Sequence, residues 1–413
     1  MKASWGLVLG GALTLGAFGL APARGPLHAQ GRAAQARPNA ADTEIVYIGT
    51  WGSEAPPPGG AFGAKPVEAD GPVGIYAARL DTRTGSLAPL GLQVPLQRAD
   101  WLTVNPRLPV LYSVAASPNG GHAPSDIYSF RIDPQTGKLT VLDEVGSGGE
   151  DATTMAFDRG SNTLIVGNHG SGDVSALPVH SDGSVGAVAS LMRDYGKGLT
   201  DRQRSPAAHG VIVDPTHRYV LVADFGADRI FVYRLNATGR SLTRAQPPYV
   251  SLPAGSGPRH LAFSPDGRFL FLDTELSAAV SVYRWDANRG HLHLMQTLSP
   301  FPATYKGERG GAEIAVSPDG HFLYFSVRDH QNALFVYAID SRTGAIRQIQ
   351  RTSAGGRRPW SFAIDPSGRW MVVANMGSQA LRVLRINRAT GRLSLTGQSM
   401  SVPNPAAVAF YAH

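Results

Sequence analysis

The chain is 413 residues long, with 48 glycines, 30 prolines, no cysteine and a formal net charge of +7. The lack of cysteine excludes disulfides and thiolate metal sites, and no basic run interleaved with aromatics argues for nucleic acid. The positive charge is almost all arginine, since the lysines are only Lys2, Lys65, Lys138, Lys197 and Lys306; such a balance draws anionic ligands inward, although an arginine-biased genome gives the same composition.

The first predicted element is a targeting segment. Lys2 precedes an apolar run from Trp5 to Leu20, and small-residue exits follow at Ala21-Pro22-Ala23 and Leu27-His28-Ala29. Residues 1–29 therefore read as a signal peptide cleaved near Ala23 or Ala29. The run is too short and glycine-rich for a good membrane anchor. Residues 30–43 read as a flexible leader and 44–413 as one domain. The expectation is an exported monomer, periplasmic or secreted, whose mature part does not insert into a membrane.

From Ile45 onward one unit recurs: an apolar stretch, a tight turn, an aromatic-rich stretch, a polar pair, a third apolar stretch and a closing turn. A period of about 45–55 residues built from short strands predicts a β-propeller, all-β, with four-stranded antiparallel blades. The closing turns fall at Thr84-Gly85, Thr136-Gly137, Asp182-Gly183, Thr238-Gly239, Arg289-Gly290, Thr343-Gly344 and Thr390-Gly391, which predicts seven blades. Strands such as Ile230–Tyr233 and Val280–Tyr283 are expected to alternate buried and exposed positions. Pro265-Asp266-Gly267 and Pro318-Asp319-Gly320 read as hairpin turns, not as a site. The first unit starts with a second strand, and the final PAAVAFY matches a first strand. The last strand is therefore expected to complete blade one and close the ring, which removes exposed sheet edges. A Gly/Pro-rich insertion between Trp51 and Gly74 reads as a lid or a disordered loop.

Strand direction alternates within a blade, so first-strand starts and second-strand ends share a face. The first column reads Asp100, Thr153, His209, Arg259, Ala312, Trp360, Ala406. The second reads Trp51, Ala116, His169, Phe225, Glu275, Arg328, Met376, preceded by Asn168, Asp224 and Asn375 in three blades. Ionisable residues gather in blades four to six, where His209, Arg259, Glu275 and Arg328 are expected to converge near the channel mouth.

The segments Ala208-His209-Gly210, Asp224-Phe225-Gly226-Ala227-Asp228-Arg229-Ile230, Gly257-Pro258-Arg259-His260, Glu275-Leu276-Ser277 and Ala312-Glu313-Ile314 resemble the seven-bladed lactonase family of 6-phosphogluconolactonases and carboxymuconate-lactonizing enzymes. The resemblance covers most of the chain after Ile45. It implies a site of His, Arg, Glu and a second Arg, which fall on His209, Arg259, Glu275 and Arg328. Where the family usually has Asn-Glu, Asn-Tyr-Gly, Asn-Arg-Gly and Pro-Arg, this chain has Ala115-Ala116, Asn168-His169-Gly170, Val327-Arg328-Asp329 and Pro359-Trp360. These departures bear on substrate choice, phosphate recognition above all.

The expected chemistry is hydrolysis of a small carboxylic lactone, sugar-derived or other. Water attacks the carbonyl, and His209 or Glu275 takes its proton. Arg259 and Arg328 bind the oxyanion and the product carboxylate; the bland alternative is inter-blade ion pairing with Glu275 or Glu313. His169, Asn168, Glu313 and Asn375 are expected to contact substrate. Asp224 and Asp228 read as turn stabilisers, and His260 as an inter-blade contact. No cofactor and no metal are expected: His291 and His293 lack a carboxylate third ligand. A serine-hydrolase elbow is also missing, and Gly146–Gly149 lacks the helix a phosphate loop needs. The alternatives are a non-catalytic exported propeller that binds a small ligand or protein, and a reversible lactonizing enzyme.

Overall fold

In the computed structural model, residues 42–52, 69–116, 123–302, 304–328 and 330–412 are described. The expected signal peptide, the leader up to residue 41 and most of the Trp51–Gly74 insertion lie outside the described residues. Seven four-stranded antiparallel sheets form the fold. Blade one spans 43–95 plus the final strand; blades two to seven span 102–150, 152–193, 208–251, 258–298, 311–353 and 359–401. Strand Pro405–Tyr411 pairs with Thr43–Thr50 as the innermost strand of blade one, so the ring closes as the sequence predicts. Among the described residues no helix is long and apolar enough to cross a membrane.

Apolar cores lie between successive blades rather than in one centre. Phe271 and Val282 of blade five meet Phe325 and Phe335 of blade six. Val46 and Ile48 of blade one meet Trp370 and Val372 of blade seven, across the closure. Because each blade is sandwiched by two others, its second strand is buried on both faces, as in Tyr219–Asp224 and Trp370–Asn375. This corrects the expected alternation at Ile230–Tyr233 and Val280–Tyr283, which are buried throughout. Exposed positions return in the outer strands, as in Ile346–Ser353, where one face meets water.

The closing turns explain their own spacing. In six of the seven, the glycine has a positive φ; in blade four the left-handed residue is Arg240 instead. Gly344 and Gly391 also lie against Phe269 and Phe322 of the preceding blade, where a Cβ would come within 2.4 and 2.2 Å of ring carbons.

Candidate active site

The inner strands carry a repeated backbone device at one rim. In six blades the ladder register shifts at the first-strand start, leaving an extra residue there. The bulged positions are Thr153, His209, Arg259 with His260, Ala312 with Glu313, Trp360 and Ala406. A bulge re-aims a side chain out of the ladder, and these bulges turn the first column towards the channel mouth. The residue after each second strand donates its N–H to a carbonyl two residues before that column: His169 to Asp151, Phe225 to Ala207, Glu275 to Gly257, Arg328 to Gly310, Met376 to Arg358 and Trp51 to Asn404. These bonds set the two columns side by side.

His209, Arg259, Glu275 and Arg328 meet at this rim. The Glu275 carboxylate accepts from Arg259 Nε at 3.1 Å, pairs with Arg328 Nη2 at 2.8 Å and takes a third guanidinium from Arg202. All but Arg202 are buried. Burial pushes the Glu275 carboxyl up, but Arg328, Arg202 and Arg259 together bring it well below the usual range. Three guanidiniums on one carboxylate leave a local excess of positive charge, suited to an oxyanion. A carboxylate so stabilised is a poor base, which leaves His209 as the proton acceptor. Arg259 Nη1 also donates to the Ala312 carbonyl, and Arg328 Nη2 to the Gly311 carbonyl at 3.1 Å. Both guanidiniums lie over Trp360, at 5.6 and 4.5 Å, and Trp360 packs on Trp51 at 5.1 Å.

His209 is buried, and its Nδ1 has no hydrogen-bond partner among the described residues. Burial, then the charges of Arg259, His260, His169 and Arg328, hold its pKa well below the ordinary value. It is therefore a neutral imidazole at pH 7, able to accept a proton. Thr153 Oγ1 donates to the His209 carbonyl at 3.3 Å, and the ring stands edge-on to His169 and His260, at 5.5 and 5.1 Å. Gly210 lets blade five press close: a Cβ there would lie 2.2 Å from the Arg259 carbonyl oxygen.

The other expected contacts divide. His169 stands at the rim, with Nδ1 3.7 Å from Asp151. Glu313 is occupied by His260 at 3.0 Å and Ser361 at 3.1 Å, so it positions the histidine cluster. His260 thus bonds between blades, as the sequence suggests. Asn168 is fully buried, with Oδ1 on Ser147 at 2.7 Å and Nδ2 on Ser175 at 2.9 Å. Asn375 donates to the Ala354 carbonyl at 3.0 Å. The structure turns Asn168 towards strands of blades two and three and Asn375 towards the connection after blade six, not into the cluster of four. Asp224 and Asp228 do stabilise turns: Asp224 accepts from Ala207 and Ala227, and Asp228 from Gly255 and Gly257.

Arg202 is the site residue the repeat pattern misses. It lies in a short 3-10 turn, Asp201–Gln203, in the connection between blades three and four. Gln203 anchors that turn to the Phe225 carbonyl and to Asp228, both at 2.8 Å. Arg202 then stacks on Phe225 at 4.7 Å while reaching Glu275. Connections differ from blade to blade, so no column contains it; its only signal is an arginine in an unusually long linker.

Among known proteins, the family described as "Lactonase, 7-bladed beta-propeller" matches residues 60–410. A 6-phosphogluconolactonase of Bacillus subtilis (strain 168) is 29% identical over 340 residues, covering 82% of this chain and 95% of that protein. A protein of the same name from Pectobacterium carotovorum is 33% identical over 267 residues, 65% of this chain and 76% of its own. The solved periplasmic gluconolactonase of Pseudomonas aeruginosa superposes with a TM-score of 0.80 at 32% identity, covering 90% of this chain and 99% of the other. With its seven closed blades and a match over most of its length, the chain belongs to the seven-bladed β-propeller lactonase family.

Proposed function

We propose that the chain is an exported lactonase that opens an unphosphorylated sugar lactone. The observation that carries the reading is the juxtaposition of a neutral, buried His209 with the Arg259–Glu275–Arg328 cluster. His209 takes a proton from water, whose oxygen bonds to the lactone carbonyl carbon. The carbonyl π pair moves onto oxygen, and the excess charge of Arg259 and Arg328 stabilises that oxyanion. Glu275 holds the two guanidiniums in register, and Arg202 completes the cage. On collapse the oxyanion pair re-forms the carbonyl, the ring C–O pair moves onto the ring oxygen, which takes up a proton, and the product is a hydroxy acid whose carboxylate the same arginines attract. His169 lies close enough to His209 to contact substrate.

Two features support an unphosphorylated substrate. Trp360 stands where the family pattern has an arginine, so the rim gains an indole wall with Trp51 where a phosphate would want a cation. The name of the Pseudomonas aeruginosa neighbour, periplasmic gluconolactonase, agrees with the export segment of this sequence. The test is kcat/KM of the mature protein towards glucono-δ-lactone and its 6-phosphate, together with the N-terminus of the protein recovered from the cell envelope. The reading expects faster opening of the unphosphorylated lactone and cleavage before residue 30. Preference for the phosphate, or cytoplasmic protein with Met1 intact, overturns the substrate and the location respectively. No turnover of any lactone overturns the activity.

A further inference from the structure

Asp100 occupies in blade two the column position that His209 holds in blade four. It precedes strand Leu102–Val104 and is 5% exposed. Its segment is fixed tightly: Arg98 is left-handed, with φ 50°, and a Cβ on Gly49 would lie 1.8 Å from the Ala99 carbonyl oxygen. Contacts tie Asp100 to the catalytic cluster in both directions around the rim. On one side its neighbour Trp101 meets His260 at 5.1 Å, and His260 meets His209. On the other, Arg98 lies over Trp51 at 4.5 Å, Trp51 packs on Trp360, and Trp360 carries Arg259 and Arg328.

Three other acidic side chains of this rim are engaged. Glu275 holds three guanidiniums, Glu313 holds His260 and Ser361, and Asp151 takes Arg98 at 2.6 Å and faces His169. Asp273, within the second strand of blade five, accepts the His260 N–H at 2.7 Å through Oδ1 and so holds the bulge, while its buried Oδ2 has no hydrogen-bond partner among the described residues. Asp100 differs from the three engaged acids. Its Oδ2 is 3.8 Å from Arg98 Nη2, and its buried Oδ1 has no hydrogen-bond partner among the described residues. A buried oxygen without a partner fits a position where substrate supplies one.

Resting on the lactonase reading above, we propose that Asp100 is the general acid of the reaction, protonating the ring oxygen as the C–O bond breaks. In the step, the oxyanion lone pair reforms the carbonyl and the ring C–O pair moves onto oxygen. That oxygen takes the Asp100 proton and leaves as the new hydroxyl. The Asp100 carboxylate sits beside Arg98 until the proton that His209 removed from water returns to it through solvent. The charges are in keeping with this role. Burial pushes the Asp100 carboxyl up to about 7; Arg98 and Arg259 oppose this and Asp151 adds to it. Asp100 is thus substantially protonated at neutral pH, as a donor must be.

The experiment is a pH profile of kcat and KM on glucono-δ-lactone for wild type, Asp100→Asn and Asp100→Glu. Wild type should lose kcat as pH rises through the neutral range. Asp100→Asn has the shape of the protonated acid but no transferable proton; its kcat should fall about 10²–10⁴-fold, with little change in KM and no alkaline limb. Asp100→Glu should recover part of the rate together with the limb. A wild-type profile that stays level to pH 9 overturns the proposal without any variant, as does an Asp100→Asn enzyme within about fivefold of wild type. Wild-type turnover under either outcome leaves the lactonase reading intact, whereas wild type inert to the lactone removes both.

Discussion

At the scale of single residues, the site is governed by what burial does to charge. Glu275 and its arginines are mutually dependent: removing one partner leaves a buried charge uncompensated, a loss of about 3–5 kcal/mol. Glu275→Gln should therefore lower the melting temperature sharply, whereas an isosteric change at a solvated carboxylate would not. Arg328→Ala should reduce kcat by roughly 10²–10³ if the guanidinium stabilises the oxyanion, and lysine should not restore it, because one ammonium cannot serve Glu275, the Gly311 carbonyl and Trp360 together. His209 gives the pH dependence. Its native pKa lies well below 6.5, so the unfolded chain binds the proton first as pH falls. Stability from this group is complete above 6.5 and declines below it. The acid limb of kcat/KM should also lie below pH 6.5, and the loss of melting temperature between pH 7 and pH 5 should be smaller in His209→Gln.

At the scale of elements, the bulge at the start of each inner strand brings strand residues into the opening. Gly210→Ala tests this, because its Cβ would lie 2.2 Å from the Arg259 carbonyl oxygen. Overpacking of this kind costs about 1–3 kcal/mol, and kcat/KM should fall with it as Arg259 shifts; unchanged kinetics would show that bulge geometry does not set the site. The two columns are legible in the sequence because blades repeat and strand direction alternates, which is why His209, Arg259, Glu275 and Arg328 can be named from alignment alone. The bulges are not legible, since they depend on partner register rather than residue type. Arg202 is invisible for a related reason, as it lies in a connection with no counterpart in other blades. Asp100 stands in the first column, yet nothing local says that its Oδ1 is left without a partner. Asn168 and Asn375 sit one residue before the second column, and that step turns their side chains away from the cluster, towards neighbouring strands for Asn168 and a blade connection for Asn375.

At the scale of the molecule, seven inter-blade cores and a closing strand make stability a property of the ring. The first and last strands of the domain pair in blade one, so neither of these two strands is expendable. Truncation after Val402 removes the innermost strand, Ala407 included, and exposes the edge of Thr43–Thr50 and the core that Ala407 covers. Such a chain should melt well below the parent and aggregate; one that melts like the parent would contradict closure as a source of stability. Blade count is readable from turn spacing because the closing turn recurs once per blade, and in four blades its glycine (Gly85, Gly290, Gly344 and Gly391) packs on an aromatic of the blade before it. Nothing in that spacing names the lactone, which depends on rim side chains such as Trp51 and Trp360. The most direct measurement is pH-stat turnover of glucono-δ-lactone by the mature wild type and by His209→Gln, with melting curves alongside. The structure predicts opening well above the spontaneous rate in the wild type, and a loss of about 10²–10⁴-fold in a variant that still folds. A folded His209→Gln protein as active as wild type, or a wild type no faster than buffer, would contradict it.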